Sequence, residues 1–132
     1  MLGSRKYWDG GISDSIPIKF FEKIGYDKNV IILTQPLYYR KEASKLYPAL
    51  EMILHKYPAV LKKLRTRAHD YNDVLNYIRK KEVQGKLLVI RPPYPLEIGT
   101  MEKDPQELRR VYQIGVKEAK KNLQAIKTYL SE

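Results

Sequence analysis

The sequence predicts an α/β fold with a small, mostly parallel sheet and packed helices. Two apolar runs, at residues 30–33 and 87–90, lack polar alternation, which is typical of strands covered on both faces. The stretches 44–84 and 104–130 instead repeat apolar residues at helical spacings of three and four. A short helix before the first strand completes half of a βαβ unit, which indicates parallel strands. We expect one domain over residues 1–132, because this length suffices for a single core.

The N-terminal region predicts the end of a strand at residues 5–8, followed by a helix over about 17–24. Ser15 is expected to cap that helix, because a serine oxygen can accept a hydrogen bond from the free backbone N–H groups of the first helical turn. Pro17 suits the first turn, and Gly25 is expected to end the helix. Residues 5–8 would be the third strand of the sheet.

The central helical region is expected to consist of three segments. The first begins near Ser44, Pro58 starts the second, and a third begins near Val74 and ends at Gly85.

The C-terminal region predicts an irregular loop at 92–100 and a last helix that starts at Asp104 and Pro105. Its apolar face would comprise Leu108, Val111, Tyr112, Gly115, Ala119, Leu123, Ile126 and Leu130. Two or three strands leave open sheet edges, so we expect either a small capped sheet or pairing with another chain as a homo-oligomer.

Charge and composition restrict the partners and the location. The 25 Lys and Arg against 15 Asp and Glu give a formal charge of +10, which favours anionic partners. The absence of cysteine excludes disulfides and fits a reducing compartment. No apolar run approaches the ~20 residues that span a bilayer, and the N-terminus lacks the apolar stretch of a secretory signal. We expect a cytoplasmic protein, with peripheral membrane association left open.

Asp9 is the candidate catalytic residue, because it precedes the pair Gly10 and Gly11 directly. Glycine pairs allow a sharp turn, and a carboxylate fixed on such a turn can act as a general base. The alternative is an ordinary turn aspartate that bonds its own backbone. Asp14 and Ser15 are expected to be capping residues.

The run from Asp9 to Pro17 resembles the Asp-Gly-Gly motif region of the patatin-like phospholipases. Further elements are similar to the C-terminal region of bacterial members. They are the strand ending in Thr34-Gln35-Pro36, Tyr38-Tyr39-Arg40-Lys41, the tyrosine-rich basic helices, Val89-Ile90-Arg91-Pro92, and Glu102-Lys103-Asp104-Pro105. The resemblance implies the C-terminal part of a three-layer α/β/α fold. Residues 1–36 would end the catalytic core, and 37–132 would form a helical and strand extension.

The resemblance implies that Asp9 is the aspartate of a Ser-Asp dyad in a lipid acyl hydrolase, with Gly10 and Gly11 as the turn that aims it. The family's nucleophile lies in a Gly-x-Ser-x-Gly elbow and its oxyanion hole in a glycine-rich loop, and neither occurs in this sequence. Ser13 is rejected as nucleophile, since it follows no strand and lies four residues from Asp9. The expected substrate of an intact member of this family is a phospholipid or related acyl lipid, whereas this chain alone should be inactive.

Basic residues form a second candidate site. Arg40 and Lys41 follow a predicted strand end, and Lys62 and Lys63 flank an apolar helical stripe, so all four are candidate contacts to an anionic headgroup. A solvated helix face and a loop anchor are the alternatives. The alternative function is therefore a non-enzymatic basic module that binds anionic lipid or a protein partner. Nucleic-acid binding is disfavoured, because the tyrosines fall at core spacing.

No cofactor and no metal site are predicted. The only histidines, His55 and His69, are fourteen residues apart and lack carboxylates at ligand spacing. Each is expected at the surface or at a helix end.

Overall fold

The computed structural model describes residues 7–131, and it contains four α-helices and a two-stranded parallel sheet. A short 3-10 turn, Gly10–Ile12, is followed by α1 (Ile18–Lys23), β1 (Val30–Ile32), α2 (Tyr47–Leu54), α3 (Pro58–Val83), β2 (Leu88–Ile90) and α4 (Pro105–Ser131). The predicted α/β class is thus confirmed. The described residues form two compact units, residues 7–25 with 40–79, and 26–39 with 80–131.

The sheet lies in the second unit and pairs β1 with β2 in parallel. Val30, Ile31 and Ile32 stand opposite Leu88, Val89 and Ile90. Two further backbone bonds extend the ladder, from the Leu33 N–H to the Ile90 carbonyl at 2.8 Å and from the Leu88 N–H to the Asn29 carbonyl at 3.3 Å. The βαβ pattern therefore predicted the strand direction correctly.

The expectation that β1 is covered on both faces is wrong. Ile31 and Leu33 are buried, whereas Ile32 between them is 75% exposed. Successive side chains of a strand point to opposite faces, so only one face of this strand is covered. Among the described residues the sheet has two strands, and α4 contacts β2.

The third strand expected at residues 5–8 is not formed by its described part. Tyr7 and Trp8 have no regular secondary structure, and residues 5 and 6 lie outside the described range. Both aromatic side chains are more than half exposed.

The helix ends follow the local sequence signals. Gly25 and Gly85 adopt φ values of +97° and +70°, the left-handed conformation that ends α1 and α3 where expected. Pro58 is the first residue of α3. α4 starts at Pro105, as the sequence predicted, and Asp104 caps it by accepting a 2.9 Å hydrogen bond from the Gln106 N–H.

Two helix predictions are wrong. The segments 58–73 and 74–83 form one helix, because no proline or glycine interrupts α3. Ser15 does not cap α1; its hydroxyl donates to the Gly11 carbonyl at 2.6 Å, and Pro17 occupies the cap without a side-chain bond. A hydroxyl close to a free carbonyl of the preceding turn bonds there instead.

None of the helices within residues 7–131 combines the length and apolar character that a membrane crossing requires.

Candidate functional site

The Asp9 carboxylate is held by the turn that follows it. Its Oδ1 accepts a 2.8 Å hydrogen bond from the backbone N–H of Gly11, and Asp9 is the N-cap of the 3-10 turn Gly10–Ile12. The Asp9 carbonyl also accepts from the Ile12 N–H at 3.1 Å. The bond from the Gly11 N–H to the Asp9 carboxylate is the one that the turn-aspartate alternative required. The same bond orients the carboxylate, as the catalytic interpretation required.

Gly11 suits this turn sterically. A Cβ added there would lie 3.3 Å from Asp9 Oδ1, closer than most side-chain contacts, so a larger residue would push the carboxylate. A Cβ on Gly10 would meet nothing within 4 Å. Of the two glycines, Gly11 has the tighter steric role.

Asp9 is exposed and is not among the residues that line the first-unit cavity, but the segment after it is. An open cavity of about 290 Å³ in the first unit has one wall from residues 12–16 and Lys19. The second wall is one face of α3, at spacings of three and four residues: Lys63, Arg67, Asp70, Tyr71, Asp73 and Val74.

The two serine hydroxyls that line this cavity donate to backbone carbonyls. Ser13 donates to the Gly10 carbonyl at 2.9 Å, and Ser15 donates to the Gly11 carbonyl. Both residues are exposed, and neither contacts a described base. Asp14 and Ser15, expected as capping residues, line the cavity instead.

Of the four predicted headgroup contacts, only Lys63 lines the cavity, where its Nζ lies 3.5 Å from Asp70 Oδ2. The Arg40 Nη2 donates to Asn76 Oδ1 at 3.0 Å. Lys62 is exposed and is not a wall residue. The predicted set is therefore not gathered at this cavity.

Lys41 is fixed by α3 in the same unit. Its backbone N–H donates to Asn72 Oδ1 at 2.9 Å, and its carbonyl accepts from Asn72 Nδ2 at 3.0 Å. Its Nζ lies 5.1 Å from the centre of the Tyr71 ring, a cation–π distance. Burial, together with the positive charge of Arg67, lowers the pKa of Lys41 below its usual 10.5.

Arg67 is the functional candidate that the sequence did not single out. Its Nε is buried and has no hydrogen-bond partner among residues 7–131. The available signal was the spacing of Lys63, Arg67 and Tyr71, which places three cavity residues on one helix face. Neighbouring cations outside this face, Lys62 and Arg65, concealed that pattern.

The histidines lie where they were predicted. His69 is 78% exposed at its side chain and pairs with Asp73 at 3.2 Å, not with its neighbour Asp70. His55 is the C-cap residue of α2, and its Nδ1 lies 2.9 Å from the Met52 carbonyl. Within residues 7–131 no group of three or more metal-binding side chains is assembled.

Comparisons with known proteins place the C-terminal part of the chain in a family. A family described as Domain of unknown function (DUF6363) matches residues 57–131. The chain is also similar to "Uncharacterized protein YjjU" of Escherichia coli (strain K12), with 28% identity over 121 residues. The match covers 83% of this chain and 31% of that protein, so the chain spans about a third of its relative. No solved structure matches the chain significantly.

Proposed function

We propose that this chain, which belongs to the DUF6363 family, is the C-terminal part of a patatin-like lipid acyl hydrolase and carries the aspartate of its Ser-Asp dyad. The observation that carries the proposal is the Asp9 carboxylate, oriented by the Gly11 N–H immediately before the segment that walls the first-unit cavity. The parallel pairing of β1 and β2 also supports it, since the resembled fold is built on a parallel sheet.

The geometry of Asp9 suits proton transfer. The Gly11 bond holds Oδ1, whereas Oδ2 has no hydrogen bond among the described residues. In the proposed reaction Asp9 takes the proton of a serine hydroxyl while the serine oxygen attacks the ester carbonyl. The proton then passes to the leaving alkoxide, and water hydrolyses the acyl-serine with Asp9 as base again.

The serine must come from outside these residues. The sequence contains no Gly-x-Ser-x-Gly elbow, and Ser13 and Ser15 donate to backbone carbonyls. The E. coli relative is longer, with 31% of its length matched. The proposal assigns the nucleophile and the oxyanion hole to such an additional segment.

The test uses the chain alone and a hybrid in which it replaces the matching segment of the E. coli relative. The chain alone should neither hydrolyse a fluorogenic short-chain ester nor react with a fluorophosphonate probe. The hybrid should hydrolyse the ester and react with the probe, and Asp9→Asn should lower its kcat for hydrolysis by about 100-fold or more. An acylated serine in the isolated chain would refute the assignment of the nucleophile to another segment.

The formal charge of +10 favours a second candidate function, a basic module that binds an anionic lipid surface or a protein partner without catalysis. Lys62 and Lys63 are both exposed on α3. Flotation with anionic vesicles at several salt concentrations tests the lipid form. Binding that weakens with salt would support it, and no binding at low salt would exclude it.

A further inference from the structure

The cavity of the first unit contains an unsatisfied donor. Arg67 lines this cavity, its Nε is buried, and no hydrogen bond of its guanidinium occurs among the described residues. A buried donor without an acceptor lowers the free energy of unfolding, because it has lost its hydrogen bonds to water, and the loss is larger for a charged group. An acceptor supplied by a ligand would remove this cost.

Other cations lie near Arg67, which has no ion-pair partner of its own among the described residues. Lys63 precedes Arg67 by four residues on α3, a spacing at which like charges destabilise a helix. Lys41 lies close enough for the charge of Arg67 to act on it. Lys19, on α1, also lines the cavity; its Nζ lies 5.1 Å from the centre of the Tyr77 ring, and it has no carboxylate partner in the described range.

Two of the three carboxylates that line the cavity contact other side chains. Asp70 accepts a 2.8 Å bond from the Thr66 hydroxyl and pairs with Lys63, which also lines the cavity, and Asp73 Oδ2 lies 3.2 Å from His69 Nε2. Asp14 is the third carboxylate, and it is exposed. None of the three neutralises Arg67 by an ion pair.

We infer that this cavity binds a phosphate-type oxyanion, with Arg67 as the principal donor and Lys63 and Lys19 as supporting cations. Guanidinium presents a planar fork of N–H donors that matches phosphate oxygens, and the lysines add charge from two elements, α1 and α3. A phosphate offers oxygens in several directions, which suits cations from two elements better than a planar carboxylate does. The inference rests on this unit alone and is independent of the proposed hydrolase function.

The same chemistry could come from free phosphate or from a phospholipid headgroup. Titration calorimetry of the chain with inorganic phosphate and with glycerophosphoglycerol, a phosphodiester headgroup without acyl chains, distinguishes the sources. We expect saturable one-to-one binding of at least one probe. Tighter binding of the phosphodiester assigns the site to headgroups, and tighter binding of phosphate assigns it to the free anion.

Two matched variants separate a site from general charge attraction. Arg67→Gln should weaken binding by roughly tenfold or more, because it removes the charge-assisted donor. Arg65→Gln makes the same charge change at an exposed position of α3 outside the cavity, and it should change binding by less than about twofold. If Arg67→Gln does not fold, Lys63→Gln replaces it, because the Lys63 side chain is half exposed and its substitution should not disturb folding. Lys63→Gln should weaken binding several-fold.

A further variant tests the sign of the ligand charge. Asp14→Asn removes a carboxylate from the cavity wall and should tighten phosphate binding. The inference is overturned if neither probe saturates, if Arg65→Gln weakens binding as much as Arg67→Gln, or if Asp14→Asn weakens it.

Discussion

The Tyr129 hydroxyl donates a 3.0 Å hydrogen bond to the carbonyl oxygen of Lys86, just before β2. The same hydroxyl accepts a 3.1 Å bond from the backbone N–H of Asn29, just before β1. One side chain near the end of α4 thus contacts the starts of both paired strands. This contact ties the last helix to the sheet of the second unit.

Tyr129→Phe should destabilise the chain by about 1–2 kcal/mol, because it removes two hydrogen bonds and keeps the ring. Tyr112→Phe is the matched control, since Tyr112 lies on the same helix, is 65% exposed and should cost less than about 0.5 kcal/mol. Urea unfolding measures both free energies. Equal values for the two variants would contradict the structural role of the Tyr129 hydroxyl.

Asn72→Ala should destabilise the first unit by about 1–2 kcal/mol, because the Asn72 amide satisfies both backbone groups of Lys41. Asn76→Ala, four residues along α3, loses one exposed bond to Arg40 and should cost about 0.5 kcal/mol or less. Hydrogen exchange at the Lys41 amide gives a local measure. Unchanged protection in Asn72→Ala would contradict the assignment.

Gly85→Ala should destabilise by about 1 kcal/mol, because its φ of +70° is unfavourable for a residue with a Cβ. The cost is conformational, since an added Cβ would meet nothing within 4 Å. Gly99→Ala also meets nothing and has no positive φ, so it should be neutral or slightly stabilising. Thermal unfolding compares the two variants, and the melting temperature of Gly99→Ala should exceed that of Gly85→Ala. The reverse order would contradict the conformational role of Gly85.

Lys41 should titrate below 10.5, because burial and the Arg67 charge both disfavour its protonated form. Between its folded pKa and 10.5 the unfolded chain binds more protons, so this group makes the free energy of unfolding rise with pH in that window. NMR of the Lys41 side-chain amine measures the pKa directly. Arg67→Gln should raise it towards 10.5, and Arg65→Gln should leave it lowered.

Local chemistry made much of the fold predictable from the sequence. Gly25, Pro58, Gly85 and Pro105 mark helix ends because their backbone limits act without distant partners. The two apolar runs likewise predicted strands from local sequence alone, because short β-branched runs without alternation are typical of strands. Their parallel pairing followed from the short helix before β1.

Tertiary contacts set the features that the sequence did not reveal. The Tyr129 hydroxyl meets Asn29 across 100 positions, and no local pattern indicates such a contact. The exposure of Ile32 depends on how many layers cover the sheet, which an apolar run alone does not state. Arg67 became a candidate only when its lack of an acceptor was visible.

The sequence identified the candidate catalytic residue, but it did not predict the cavity near that residue. The Asp-Gly-Gly triplet predicted a tight turn at Asp9, and the 2.8 Å bond to Gly11 forms that turn. The cavity beside it needs the face of α3, more than fifty positions away in the sequence. The catalytic role of Asp9 stays a prediction.

Ester hydrolysis by the hybrid with the E. coli relative is the most direct measurement of that role. Asp9→Asn should lower kcat by about 100-fold or more, because the serine would lose its proton acceptor. Asp27→Asn removes one carboxylate at an exposed position outside the turn and the cavity, and it should leave kcat unchanged. An Asp9→Asn hybrid that hydrolyses the ester as fast as the unmodified hybrid would contradict the account.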